Sequence, residues 1–324
     1  MAARTSADVV YQEMFKGGPM RYRFFTVDVF TERIFGGNPL AVFPEAQGLN
    51  PAQMQQIARE LSLSETAFVF PPETPEGTHR LRIFTPGIEL PFAGHPTIGS
   101  ACVLAKFDPT AQAGMKIVFE EGVGAISVDV TDGQIPFAQF SAAEMPEFGP
   151  PPPSQAELAA LLSLQPSDLS IEGWSPQSVS CGVPFLFIPL CDRPTLSKAH
   201  LDLLKWKSLL ADYWAPHVYV FTPEPEVESA DFRARMFAPA MDIQEDPATG
   251  AAVTAFAGYL GRRKAATSGT FRWAIEQGVE MGRPSLLRVE ADLQNGEFVA
   301  IRVGGHAVMV SQGEMTVPLL SEGG

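Results

Sequence analysis

A chain of 324 residues with 45% hydrophobic and 19% charged content is long enough for two domains with buried cores. Its net charge of −14 repels nucleic acid and anionic membrane surfaces, so neither is an expected partner. Cys102, Cys181 and Cys191 show no metal-type spacing and no even-numbered secreted framework, which predicts free thiols in a reducing, cytoplasmic compartment.

In chain order, residues 1–20 lack the apolar core of a signal peptide and read as a disordered extension. No later segment is apolar for long enough to span a bilayer. A strand is predicted at 22–30 and an amphipathic helix over Pro51–Leu61 with Asn50 as its cap. Strands follow at 67–70 and 81–84. His95-Pro96-Thr97-Ile98-Gly99 then opens an apolar helix, and a strand pair around a Gly turn completes this half. The Pro-rich stretch 145–154 reads as a linker. The second half repeats the order with a strand at 183–190, a helix at 197–210, and strands at 218–221 and 232–237. Asp246-Pro247-Ala248-Thr249-Gly250 then opens a helix over 248–260, and a final strand pair follows.

The two halves share blocks as well as order. Gly37-Asn38-Pro39-Leu40-Ala41-Val42 matches Gly182-Val183-Pro184-Phe185-Leu186-Phe187, and Arg82-Ile83-Phe84-Thr85-Pro86 matches Arg235-Met236-Phe237-Ala238-Pro239. Five such blocks recur in order at separations of 145 to 156 residues, too long a period for a solenoid, so the pattern predicts a duplicated domain. The domains expected are 21–145 and 155–320, with a last strand able to cross back to the first. The helix over 248–260 has almost no polar face and must be buried on all sides. Short strands curling round it give an α+β fold of two similar domains, each a curled, barrel-like mixed β-sheet around a central buried helix.

Two helix starts facing each other would offer unsatisfied N–H groups and two positive dipole ends to a small carboxylate. His95 and Asp246, 151 residues apart, then stand as an equivalent pair, one from each half. Taken singly, Asp is simply a favoured helix cap and a lone His a satisfied polar residue; their matched positions raise both above that. Glu65 is not repeated, since its counterpart region holds Pro216 and His217, and an unrepeated acid in a repeated frame suits a single general base. No Walker loop, dinucleotide fingerprint, G-x-S-x-G elbow or H-E-x-x-H occurs, so neither a metal nor a cofactor is expected.

From about Arg23 to Leu319 the chain resembles the phenazine biosynthesis-like PhzF family, within the diaminopimelate epimerase-like fold. The residues that carry the resemblance include Asp28-Val29-Phe30, Leu63-Ser64-Glu65-Thr66, Phe92-Ala93-Gly94-His95-Pro96-Thr97, the Asp246–Gly250 segment and Gln277-Gly278-Val279-Glu280-Met281-Gly282-Arg283-Pro284. The resemblance implies an isomerase that moves a proton between carbons of a small unsaturated or cyclic carboxylate without a cofactor. It implies Glu65 as general acid/base, His95 and Asp246 as the other catalytic groups, and Ser64, Gly94, Gly250 and Ala251 around the substrate. It also implies a homodimer. Ala251 departs from the Ser common in the family at that position. An epimerase or racemase of an amino or hydroxy acid is the second reading, but the cysteine pair that such enzymes carry at the helix starts is missing. A non-catalytic small-molecule-binding protein retaining the fold is the third.

Overall fold

The computed structural model describes residues 20–107, 114, 116–131 and 133–318. Residues 1–19 of the expected extension and the last six residues lie outside the described set. The first half runs β1 (Met20–Val29), β2 (Asn38–Phe43), α1 (Pro51–Leu61), β3 (Glu65–Phe70), β4 (His79–Phe84), β5 (Glu89–Leu90), α2 (Gly94–Phe107), β6 (Lys116–Glu121), β7 (Gly124–Thr131) and β8 (Phe137–Ser141). After β9 (Glu147–Phe148) and α3 (Gln155–Leu161) come β10 (Gln177–Ser180), β11 (Pro184–Pro189), α4 (Arg193–Lys198), α5 (Leu203–Leu209), β12 (His217–Thr222), β13 (Phe232–Ala238) and β14 (Ile243–Asp246). The chain ends with α6 (Gly250–Gly261), β15 (Gly269–Gln277), β16 (Ser285–Gln294) and β17 (Glu297–Val317).

The duplication is written in the sheet. β2 and β3 are parallel, β3 and β4 antiparallel, β4 and β6 parallel; β11, β12, β13 and β15 repeat that alternation. The side chains repeat with it. Arg82 pairs with Glu89 and lies over the Phe84 ring, as Arg235 pairs with Glu245 and lies over Phe237. β17, 21 residues long, serves both halves. Its first part pairs with β16 and its second with β8 and β1, closing a circuit of eight strands around α2. In the second half β9 pairs with β10.

Local chemistry accounts for the helices. α1 begins with the predicted Asn50 cap, completed into a capping box by Gln53, and turns Met54, Ile57 and Ala58 into a cluster on the outside of the sheet. α2 and α6 are the central helices, and neither has a polar face: α6 is buried from Ala252 through Gly261, packed against β10, β11, β15, β16 and β17. At its heart Phe256 meets the rings of Phe187, Tyr219, Phe221, Phe232 and Tyr259 at centroid distances of 4.6–5.6 Å.

The helix expected at 197–210 is instead two short ones, α4 and α5. Each has its own Asp cap: Asp192 accepts from the Thr195 N–H, Asp202 from those of Leu204 and Lys205. Between them, buried Arg235 donates to the carbonyls of Leu196 and Ala199, satisfying there the groups a continuous helix would satisfy internally. The apolar helix expected from 248 starts at Gly250.

Removing the hub of this aromatic core leaves a void that rigid strands on several sides cannot close. Phe256→Ala is expected to cost about 3–5 kcal/mol of stability, read from the urea midpoint with an unchanged m-value.

Candidate active site

The two central helices meet end to end. A Cβ on Gly94 would sit 3.7 Å from the Gly250 Cα, and one on Gly250 equally close to the Gly94 Cα. Each glycine thus lies in van der Waals range of the other helix start. The first N–H groups of each helix have no intrahelical carbonyl to bond, so two donor-rich, positive ends converge on one spot. Ala251 follows Gly250 in the first turn of α6 and is half-buried.

Glu65 opens β3 beside Leu40 of β2. Its side chain is 13% exposed and that of His95, the second residue of α2, is 7% exposed. Glu65 Oε2 and His95 Nε2 are 3.1 Å apart. Neither atom has a hydrogen-bond partner. Leaving such atoms buried and unpaired costs roughly 1–3 kcal/mol each, which marks the pair as polar groups with bonding capacity still unused. Ser64 is adjacent and exposed.

Asp246 ends β14, just ahead of α6. Asn38 of β2 donates to its Oδ1 at 2.9 Å and to the Ala248 carbonyl at 3.1 Å. Thr249 Oγ1 donates to its Oδ2. Behind this, Gln277 donates to the Asp246 carbonyl at 2.8 Å and accepts from the Thr249 N–H at 3.4 Å. The second half's acid is thus held by the first half's asparagine. Arg283 reinforces the junction, donating to Asp28 and to the carbonyls of Gly36 and Gly37, next to Asn38.

Burial governs the protonation states. It pushes Glu65 up to about 8, with the nearby Asp246 charge adding to the rise. It pushes His95 down to about 3, which leaves a neutral imidazole. Asp246 rises to about 6, held back by its bonds from Thr249 and Asn38. The structure therefore brings Glu65, His95, Asp246, Gly94 and Gly250 to one junction.

One sequence expectation is corrected. His95 and Asp246 are not equivalent positions. Ile83 pairs with Leu90, and its counterpart Met236 pairs with Asp246, so Asp246 corresponds to Leu90. The helix starts correspond as Gly94 and Gly250, which matches His95 with Ala251. His-Pro lies one residue inside a helix whereas Asp-Pro leaves a strand; a shared Pro among small residues made them look alike. Asn38 and Gln277 were given no role by sequence reasoning, although both lie in its motifs. Gln277 corresponds to Glu121, which is buried, pushed up to about 8, and 2.8 Å from the Thr97 hydroxyl of α2. A polar residue at the same strand end in both halves was the available signal.

None of the cysteines is at the start of α2 or α6: Cys102 is buried within α2, and Cys181 and Cys191 lie against the Thr254 carbonyl and the Thr195 hydroxyl. Among the described residues no three His, Cys, Asp or Glu side chains are grouped to hold a metal ion, and no helix is long and apolar enough to cross a membrane. A hollow of about 460 Å³ lined by Arg80, Arg82, Glu89, Glu120 and Glu121 includes none of Glu65, His95, Asp246, Gly94 and Gly250 in its walls.

The architecture is that of the diaminopimelate epimerase-like α+β proteins. Residues 27–313 match the model of the phenazine biosynthesis-like proteins, and the chain belongs to this PhzF family and is an isomerase of it. It is 41% identical over 304 residues to an uncharacterised isomerase of Mesorhizobium japonicum, covering 91% of this chain and 98% of that one. It is 33% identical over 297 residues to the trans-2,3-dihydro-3-hydroxyanthranilate isomerase of Pseudomonas aeruginosa, covering 90% and 98%. A solved PhzF-family phenazine biosynthesis protein of Bacillus anthracis has the same fold, with a TM-score of 0.81 at 22% identity over 92% of this chain and 100% of that one.

The raised Glu65 sets a pH signature on stability. The folded protein keeps a proton until about pH 8 that the unfolded chain releases near 4.5, so ionisation favours unfolding increasingly across that window. Glu65→Gln carries no such charge. Its stability advantage over wild type is expected to grow from about pH 4.5 to about pH 8 and level off above, measured by urea unfolding at several pH values across that range.

Proposed function

We propose that the protein moves a proton between two carbons of a small unsaturated or cyclic carboxylate, with Glu65 as the general acid/base and no cofactor. The observation that carries this reading is the buried, unpartnered pair of Glu65 Oε2 and His95 Nε2 beside the converging helix starts. The helix-end N–H groups of α2 and α6 are suited to a carboxylate and to the negative charge that spreads onto it when an adjacent carbon loses its proton. Ser64, Gly94, Gly250 and Ala251 form the surroundings of the substrate in this scheme. An ionised Glu65 takes the proton, becoming a neutral acid in an apolar setting that favours the neutral form. It then returns the proton to the second carbon, so the enzyme ends each cycle unchanged.

His95, neutral, offers a hydrogen bond without adding a cation that would hold Glu65 ionised. Asp246 opposes ionisation of Glu65 by like charge and positions the substrate from the second half. A carboxyl with a pKa of about 8 suits both directions of transfer near neutral pH. The relative from Pseudomonas aeruginosa named for trans-2,3-dihydro-3-hydroxyanthranilate supports a cyclic amino-acid-type substrate. On the family resemblance, residues 21–145 and 155–320 are taken as domains and the working form as a cytoplasmic homodimer. Sedimentation velocity is expected to give twice the 35.0 kDa chain mass.

The direct test is deuterium uptake at carbon in heavy water, with trans-2,3-dihydro-3-hydroxyanthranilate first and other unsaturated carboxylates after it. Glu65→Gln is expected to lower uptake by about 10²–10⁴-fold while folding normally. Wild-type kcat/KM is expected to rise with pH to a plateau above about 8, as Glu65 ionises. Equal uptake by mutant and wild type would remove Glu65 from the reaction.

A further inference from the structure

The sheet register gives Glu65 a counterpart. Thr66 pairs with Phe84 in the first half and Val218 with the matching Phe237 in the second, so Glu65 and His217 hold the same place at the start of β3 and β12. The parallel pairs agree: Leu40 stands beside Glu65 and Phe185 beside His217. His217 is therefore where a second-half Glu65 would be.

Its side chain is on the inner face of the sheet. Along β12, Val218 and Val220 join the outer cluster with Leu196 of α4, whereas Tyr219 and Phe221 point to Phe256 of α6. Side chains alternate along a strand, so His217 shares the face of Tyr219 and Phe221. Direction along the helix follows as well. Phe221 reaches Tyr259 as well as Phe256, and Tyr219, one step earlier, extends its hydroxyl to Gln277, which caps the region of Thr249. One further step back along β12 brings His217 to the start of α6.

His217 is 5% exposed, and its ring lies 5.6 Å from that of Phe185. Its Nδ1 is buried without a hydrogen-bond partner. Burial lowers its pKa, so the imidazole is neutral, with one nitrogen to donate and one to accept. The residue matched with His95 in this half is Ala251, which has no polar side chain. The second wall thus has an imidazole where the first has a carboxyl, and a methyl group where the first has an imidazole.

From this juxtaposition we infer that His217 is the substrate-binding side chain of the second half, hydrogen-bonding an oxygen or nitrogen of the bound carboxylate compound on the side of α6, across from Glu65. The inference rests on the proposed function for the class of ligand. It assigns no proton transfer to His217; it assigns a contact that Ala251 cannot make.

The test uses histidine-selective ¹⁵N labelling and 3-hydroxyanthranilate, an aromatic carboxylate of the same skeleton as the relatives' named substrate. The imidazole signals of His217 and His95 are assigned from His217→Leu and His95→Asn. Saturating probe is expected to shift both sets of signals. His217→Leu is expected to weaken probe binding about tenfold, with part of the loss restored in His217→Asn. A His95 shift without a His217 shift, or affinity in His217→Leu within about twofold of wild type, overturns the inference and leaves the proposed function standing. No shift at either histidine overturns both, because the junction then does not take this class of carboxylate.

Discussion

α2 and α6 have no face that can meet water, and each has to be enclosed by strands on every side. Short strands of one half can curl round a helix but leave its N-terminal end open, because the chain enters there. Two such open ends, with glycine at the first helical position of each, come close enough that a Cβ on either would reach van der Waals contact with the other. The close approach concentrates the unbonded N–H groups of both helices at one junction. Everything polar about the site follows from having to bury these helices first.

Enclosure also sets the electrostatics. Glu65, His95 and Asp246 are all moved towards their neutral forms, and burial is the largest cause in each case. A site that were merely a cluster of opposite charges would hold Glu65 ionised and His95 protonated. Here the charge that acts on Glu65 is that of another acid, Asp246, and the hydrogen bonds that steady Asp246 come from neutral Asn38 and Thr249. The arrangement keeps a proton mobile at moderate pH and leaves two buried atoms with bonds still to make.

The halves are alike in backbone and unlike in side chain at the junction. Arg82–Glu89 and Arg235–Glu245 repeat, as do the parallel and antiparallel pairings around them. Glu65 corresponds to His217, Glu121 to Gln277, and His95 to Ala251. Coupling between the halves is equally one-sided: Asn38 of the first holds Asp246 of the second, and β17 leaves the second to close the sheet of the first. The repeated backbone brings two like helix starts together, and the side chains around them differ from one half to the other.

Much of this was legible in the chain. The all-apolar stretch of α6 demanded enclosure, the Asn50 cap marked α1 to the residue, and the recurring blocks announced two copies of one sheet. Those are properties of near neighbours in sequence, where propensity, capping and periodicity act directly. The break between α4 and α5 was not legible, because it depends on Arg235 reaching carbonyls 36 and 39 residues away. Nor was the true match of His95 with Ala251, since motif similarity carries no register and only strand pairing supplies one. The amino-acid sequence by itself determined that two buried helices would start beside a histidine and an acid. Only the tertiary structure decided that Glu65 lies 3.1 Å from His95 and that Asn38 steadies Asp246, because these contacts join residues that no local rule relates.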